Sequence, residues 1–285
     1  MTRSDLPLKY VRLREGMIEY HESGPVDAPV LIFVHGALAN DRLWVQVVLM
    51  LHASYRCIVP VWPLGAHRLP MNATANLSPA GVIRLIHEFV DAMSVERATF
   101  VGNDSGGALC QMLVAAHPLR VERLVLTSSD AFSIWLPWMF KYLEFAAYIP
   151  GMLYWLAQSM RLRWLRGLPF AFGWLSKRMS QDVSDAFATP LASSAGVRRD
   201  AAKFLRGISP RLTSTAAQTF SSFTRPVLVA WSRENRFFPT QHAERLARAF
   251  PNAKLHWIEN AYTFSPIDQP KQVSEAIMDF MRATA

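Results

Sequence analysis

The chain has 285 residues, 51% of them hydrophobic and 18% charged, which excludes a disordered chain and leaves ample material for one large core or a core with an insertion. A formal net charge of +8 admits nucleic acid or an anionic membrane surface as partners, but the basic residues are scattered, mostly as arginines between apolar residues, so no nucleic acid partner is expected. Cys57 and Cys110 fall in apolar runs and read as small buried hydrophobes of a reducing compartment, and no metal-ligand cluster or cofactor motif is visible.

Met1 to Val11 is polar and charged, so no secretory signal is expected and the chain reads as cytoplasmic. Lys9 to Leu13 and Met17 to His21, separated by Glu15-Gly16, predict a hairpin. Val30 to Val34 is a continuous apolar run, as expected of a strand buried on both faces, and it runs into His35-Gly36-Ala37-Leu38. Leu43 to Leu51 has helical spacing, and Tyr55 to Val61 is a second buried strand. The loop that follows carries His67, at the end of the sheet where α/β proteins place their sites. Ser78-Pro79 predicts a helix start.

An apolar run from Ala98 to Val101 then meets Gly102-Asn103-Asp104-Ser105-Gly106-Gly107, followed by a helical run from Ala108 to Ala116. A strand feeding a helix through small-x-nucleophile-x-small is a nucleophile elbow, in which the backbones two residues either side of the nucleophile approach closely. Gly102 and Gly106 flank Asp104 at that spacing. The rival tip, Ser105, would be flanked by Asn103, a poor substitute for glycine, so an aspartate is expected at the tip.

Leu124 to Leu126 is the next strand and ends near Asp130. From Ala131 to about Ser214 the strand–helix alternation stops, and the segment is helical, aromatic and methionine-rich. Within it the aromatic-rich run Phe132 to Leu156 is interrupted by Pro137, Lys141, Glu144 and Pro150, whereas a membrane span needs ~20 nearly uninterrupted apolar residues. No span is expected, although the stretch is apolar enough to touch a membrane at its interface. Alternation resumes with a strand at Pro226 to Trp231, a helix at Gln241 to Phe250, a strand at Leu255 to Ile258 and a closing helix at Lys271 to Met281.

In this order the parts resemble the α/β-hydrolase superfamily, and an Asp tip before a Gly-Gly pair resembles its haloalkane dehalogenase and epoxide hydrolase branch. The resemblance implies a mostly parallel eight-stranded sheet, with residues 1–130 and 215–285 as the core domain and 131–214 as a helical lid. It implies Asp104 as nucleophile and the backbone amides of Ala37 and Ser105 as oxyanion donors. The branch's Trp or Arg after the nucleophile is Ser105 here, and the proline of its oxyanion loop is Leu38. Its histidine falls at Thr263, in the register set by Asp268-Gln269-Pro270, and its acid after the seventh strand falls at Asn235. A threonine hydroxyl takes no proton near neutral pH.

Asp130 stands where some haloalkane dehalogenases keep their acid, and reads equally as a cap for the first lid helix. His67 is the histidine placed to serve the site. Trp135, Trp138, Tyr142, Tyr148 and Tyr154 are candidates, with Thr263, to line an apolar pocket, and a lid tyrosine among them is a candidate proton donor. The expected ligand is a hydrophobic small molecule. Three functions fit: hydrolysis of an epoxide, carbon–halogen or ester bond with a non-standard base; a cyclisation, elimination or isomerisation with Asp104 as general acid or base; and silent binding of an apolar ligand.

Overall fold

A computed structural model describes residues 7–284; the first six residues of the amino-terminal stretch read above lie outside it. The sheet has eight strands: β1 (Leu8–Leu13), β2 (Gly16–Ser23), β3 (Val30–Val34), β4 (Arg56–Pro60), β5 (Ala98–Asp104), β6 (Val121–Ser129), β7 (Val227–Ser232) and β8 (Ala253–Ile258). Their order is β1-β2-β4-β3-β5-β6-β7-β8, antiparallel through β1, β2 and β4 and parallel from β4 onward. This is the α/β-hydrolase fold.

Helices cover both faces, so the central strands are apolar throughout rather than alternating. On one face α1 (Val45–Leu51) and α12 (Pro270–Ala283) pack on Leu31, Phe33, Val101 and Leu228. On the other, α2 (Pro79–Ala92), α3 (Ser105–Ala116) and α10 (Thr240–Ala249) pack on Ile32, Phe100, Leu126 and Val229. The α2 start follows its local chemistry: the Ser78 hydroxyl accepts the Gly81 N–H with Pro79 in the first helical position. Cys57 and Cys110 are both buried free thiols, and burial pushes the Cys57 thiol up to about 12.

Between β6 and β7 lie six helices: α4 (Lys141–Tyr148), α5 (Met152–Ser159), α6 (Arg163–Arg166), α7 (Gln181–Ser193), α8 (Ala195–Gly207) and α9 (Pro210–Ala217). Trp135, Leu143, Ala146, Phe204 and Leu205 belong to the same hydrophobic cluster as Ile32 and Leu126. The insertion is therefore seated on the core that covers one sheet face, and each fully buried large side chain in that seam is worth ~1.5–3 kcal/mol. α11 (Ser265–Asp268) completes the turn after β8. No helix among the described residues is long and apolar enough to cross a membrane.

Candidate active site

The carboxyl ends of β3, β5, β6, β7 and β8 deliver Gly36, Asp104, Asp130, Asn235 and Thr263 to one edge of the sheet. Asp104 ends β5 and precedes α3 with φ 54°, a left-handed conformation rare for a residue other than Gly, Asn or Asp. Ser105 is the first residue of the helix, so the tip is the aspartate. The small residues around it are required sterically. A Cβ at Gly102 would lie 2.7 Å from the Gly107 Cα, one at Gly106 would lie 2.2 Å from the Val34 carbonyl oxygen, and one at Gly36 would lie 2.2 Å from the Asp104 Oδ2.

Asp104 opens into a cavity of about 230 Å³ between the sheet edge and the insertion. Asp104 is half-buried and lines this cavity. The walls are almost wholly apolar: Leu38, Leu136 and Phe140 near the sheet, and Leu153, Leu156 and Met160 from α5 and its end. Such a site suits a hydrophobic ligand, with one polar group to fix its reacting end. Burial pushes the Asp104 carboxyl up to about 7, and only the Ser105 N–H, which donates to it, opposes the rise.

Asp130 is fully buried, and its Oδ1 accepts the Leu136 N–H at 3.0 Å. Oδ2 lies 3.0 Å from the Ser105 Oγ, which donates to it when Asp130 is ionised. Burial, and after it the charge of Asp104, hold Asp130 well above the carboxylate range. Two desolvated carboxylates that repel share protons rather than ionise together. Asp130 is thus no cap of a first lid helix: residues 131–137 form a loop, and Asp130 fixes its far end at Leu136.

At the other end of the site, the Thr263 hydroxyl donates to the Asn235 Oδ1 at 3.3 Å, and the same oxygen accepts the N–H groups of Phe237 and Phe238. Asn103, the residue before the tip, donates to the Thr263 carbonyl at 2.8 Å. Thr263 is buried beneath the cavity floor and does not line the cavity.

None of the eight histidines, all of them among the described residues, lines the cavity. His67 is the correction that matters most. Its Nε2 pairs with Asp200 on α8 at 3.2 Å, and its Nδ1 accepts the Gly65 N–H at 3.4 Å. It ties the β4–α2 loop to the insertion, and both ring nitrogens are engaged. His35 is held neutral, since burial lowers it to about 4; its Nε2 accepts the Trp62 N–H and its Nδ1 donates to the Gly36 carbonyl. It sets the loop carrying Ala37, which does line the cavity, and Leu38, which has φ 58°.

The lid aromatics are mostly placed otherwise than expected. Tyr142 lines the cavity, with its hydroxyl donated to the Phe170 carbonyl at 2.8 Å. Trp135 is buried against Phe204, while Trp138, Tyr148 and Tyr154 point to solvent. The cavity wall is made instead by leucines, methionine and phenylalanines. On α5 the signal is present in the sequence, since Leu153, Leu156, Ala157 and Met160 recur at helical spacing. It is masked by Tyr154 and Trp155 on the opposite side. Among the described residues no group of His, Cys, Asp and Glu is arranged to hold a metal ion.

The fold and this edge-of-sheet arrangement define a class, and residues 29–270 match the family described as alpha/beta hydrolase fold. The chain belongs to that family, and its named relatives are enzymes. It is 22% identical over 283 residues to 2-hydroxy-6-oxononadienedioate/2-hydroxy-6-oxononatrienedioate hydrolase 1 of Dechloromonas aromatica, a match covering 96% of this chain and 94% of that one. It is 25% identical over 298 residues to cis-3-alkyl-4-alkyloxetan-2-one decarboxylase of Xanthomonas campestris, covering 96% and 95%. Among solved structures, a loop variant of the haloalkane dehalogenase DbeA from Bradyrhizobium elkanii superposes with a TM-score of 0.79 at 16% identity, covering 98% and 97%. This protein is an enzyme of the α/β-hydrolase family.

Proposed function

We propose that Asp104 is the nucleophile of this enzyme and attacks a saturated carbon of a hydrophobic small molecule held in the apolar cavity. The observation that carries the reading is the position of Asp104 as the only carboxylate among the described residues that opens into that cavity, on a turn whose geometry demands small neighbours. A carboxylate suits a carbon bearing a strained-ring oxygen or a halide, because attack displaces the leaving group and leaves an alkyl ester on Asp104. The substrate binds with its reacting carbon beside Asp104 and its chains along α5. The Ser105 and Ala37 amides are placed to steady the carboxyl oxygen not engaged in attack.

A second reading concerns release, and the cavity without histidine favours it. In the register the resemblance implies, Thr263 and Asn235, hydrogen-bonded to each other, take the places of the family's base and acid, and neither takes a proton near neutral pH. Hydrolysis of the ester then lacks an evident base. A substrate whose ester collapses without water needs none. The oxetanone ring named for the Xanthomonas relative illustrates the chemistry. Asp104 attacks the ring carbon that bears oxygen, and the carbon–oxygen bond breaks to give a carboxylate. That carboxylate then leaves as carbon dioxide, its electron pair forms the carbon–carbon double bond, and Asp104 departs unchanged.

Intact-protein mass after exposure to alkyl oxetanones, epoxides and haloalkanes tests both readings. The parent chain should gain substrate mass or turn over, and Asp104→Asn should do neither. Turnover in water labelled with oxygen-18 should leave Asp104 unlabelled if release is fragmentation and label it if release is ester hydrolysis. Unimpaired turnover by Asp104→Asn would end the nucleophile assignment.

A further inference from the structure

The outer surface of the insertion is apolar in a way the rest of the molecule is not. Of the fifteen large hydrophobic side chains exposed among the described residues, ten lie between Trp138 and Trp174. Four of them are tryptophans, and Trp155 and Trp164 are 71% and 67% exposed. On α4, Lys141, Phe145 and Tyr148 share the outward face, while Leu143, Ala146 and Ala147 are buried. On α5, Tyr154 and Trp155 face out while Leu153 and Leu156 face the cavity. α5 carries no charge at all. A helix apolar on both sides is expected in a core or against a lipid phase, not in water.

The charge of this region is one-sided. Residues 131–180 contain six lysines and arginines and one acidic residue, Glu144. Asp185 pairs with Arg163 and the buried Arg166, Lys141 pairs with Glu144 and Lys177 with Glu234, so the surplus is smaller than the count and includes the exposed Arg161 beside the exposed Leu162. Trp and Tyr rings amid Lys and Arg are the side chains that settle at the headgroup level of a bilayer. A second copy of this chain fits less well, because a two-fold contact would set this cationic surface against itself.

We infer that the outer face of the insertion, from α4 through Trp174, docks the enzyme on an anionic lipid surface without spanning it. Phe170 is both exposed and part of the cavity wall, so the docked face includes an edge of the cavity. A hydrophobic substrate then passes from the lipid phase to the site without crossing water.

Flotation of the purified chain with vesicles of phosphatidylcholine, with and without phosphatidylglycerol, tests this. The parent should float with the anionic vesicles and be released by salt. The double variant W155S/W164S should partition at least about tenfold less, whereas Y10S/L119S, which removes exposed apolar side chains elsewhere, should partition like the parent. Melting curves establish that both variants are folded. Should W155S/W164S not fold, brominated lipid in the anionic vesicles should quench the tryptophan emission of the parent. Absence of parent binding, equal partitioning by W155S/W164S and the parent, or absence of quenching would overturn the inference. So would a parent dimer that the patch variant converts to monomer with no vesicle binding by either.

Discussion

The β5–α3 turn and the paired turns after β7 and β8 meet at the hydrogen bond from Asn103 to the Thr263 carbonyl, and they are built differently. At the first, every neighbour of Asp104 is fixed by contact: no side chain larger than hydrogen fits at Gly36, Gly102 or Gly106 without moving backbone or the carboxylate. At the second, a threonine and an asparagine make an ordinary hydrogen bond, and the asparagine oxygen also caps its own turn. The Asp104 end has a strained and desolvated geometry that costs stability. The second end holds neutral groups, and the Asn235 Nδ2 is buried there without a hydrogen-bond partner.

The largest test of the contrast is Asp104→Asn. Loss of the nucleophile should lower turnover or adduct formation by on the order of 10³-fold or more. Stability should move the other way. Asp104 keeps its proton to about 7 when folded, against an ordinary carboxylate value of 3.8. Between those values the folded chain binds more protons than the unfolded one, so stability falls as pH rises through this window and stays low above it. The asparagine variant should therefore melt at a higher temperature than the parent above about pH 7, by the equivalent of at most about 4 kcal/mol, and the gap should close below about pH 4.

Gly36→Ala sharpens the same point without replacing the carboxylate. Its Cβ would lie 2.2 Å from the Asp104 Oδ2, so the nucleophile must rotate away. A loss of on the order of 10²-fold in reaction rate is expected, with a fold that still melts cooperatively. At the second end, the pair Thr263→His and Asn235→Asp should restore a water-activating base. Decay of any Asp104 adduct should accelerate at least about tenfold, measured by mass against time, at a packing cost of about 1–3 kcal/mol for the larger ring. No change in decay would mean that the Thr263 position does not reach the ester.

His67→Ala bears on stability alone. Asp200 keeps Arg199 and the Met71 N–H but loses its histidine, and a loss of about 1–3 kcal/mol is expected by chemical denaturation. Rate constants measured on the folded fraction should be unchanged, and a fall in kcat would return His67 to the chemistry. The smallest effect is expected from Asp130→Asn. The amide still accepts the Leu136 N–H, and a neutral group replaces one that burial already holds protonated. Activity should fall less than about tenfold, and less of the pH slope in stability should remain.

The sequence by itself determined the fold class and the place of the reacting turn. Both are local or periodic: uninterrupted apolar runs specify strands buried on two faces, and the glycine spacing around Asp104 specifies a turn that larger residues cannot enter. The reading of Thr263 and Asn235 likewise rested on short stretches in register with Asp268-Gln269-Pro270. Tertiary structure alone decided who surrounds Asp104. His67 looked available in its loop, yet its partner Asp200 lies 133 positions away on α8, a distance no local pattern spans. The lid aromatics looked like a pocket, yet the helices turn Trp138, Tyr148 and Tyr154 outward and offer leucine and methionine to the cavity. On a helix apolar on both sides, periodicity does not say which side faces the site; only its packing against the core does.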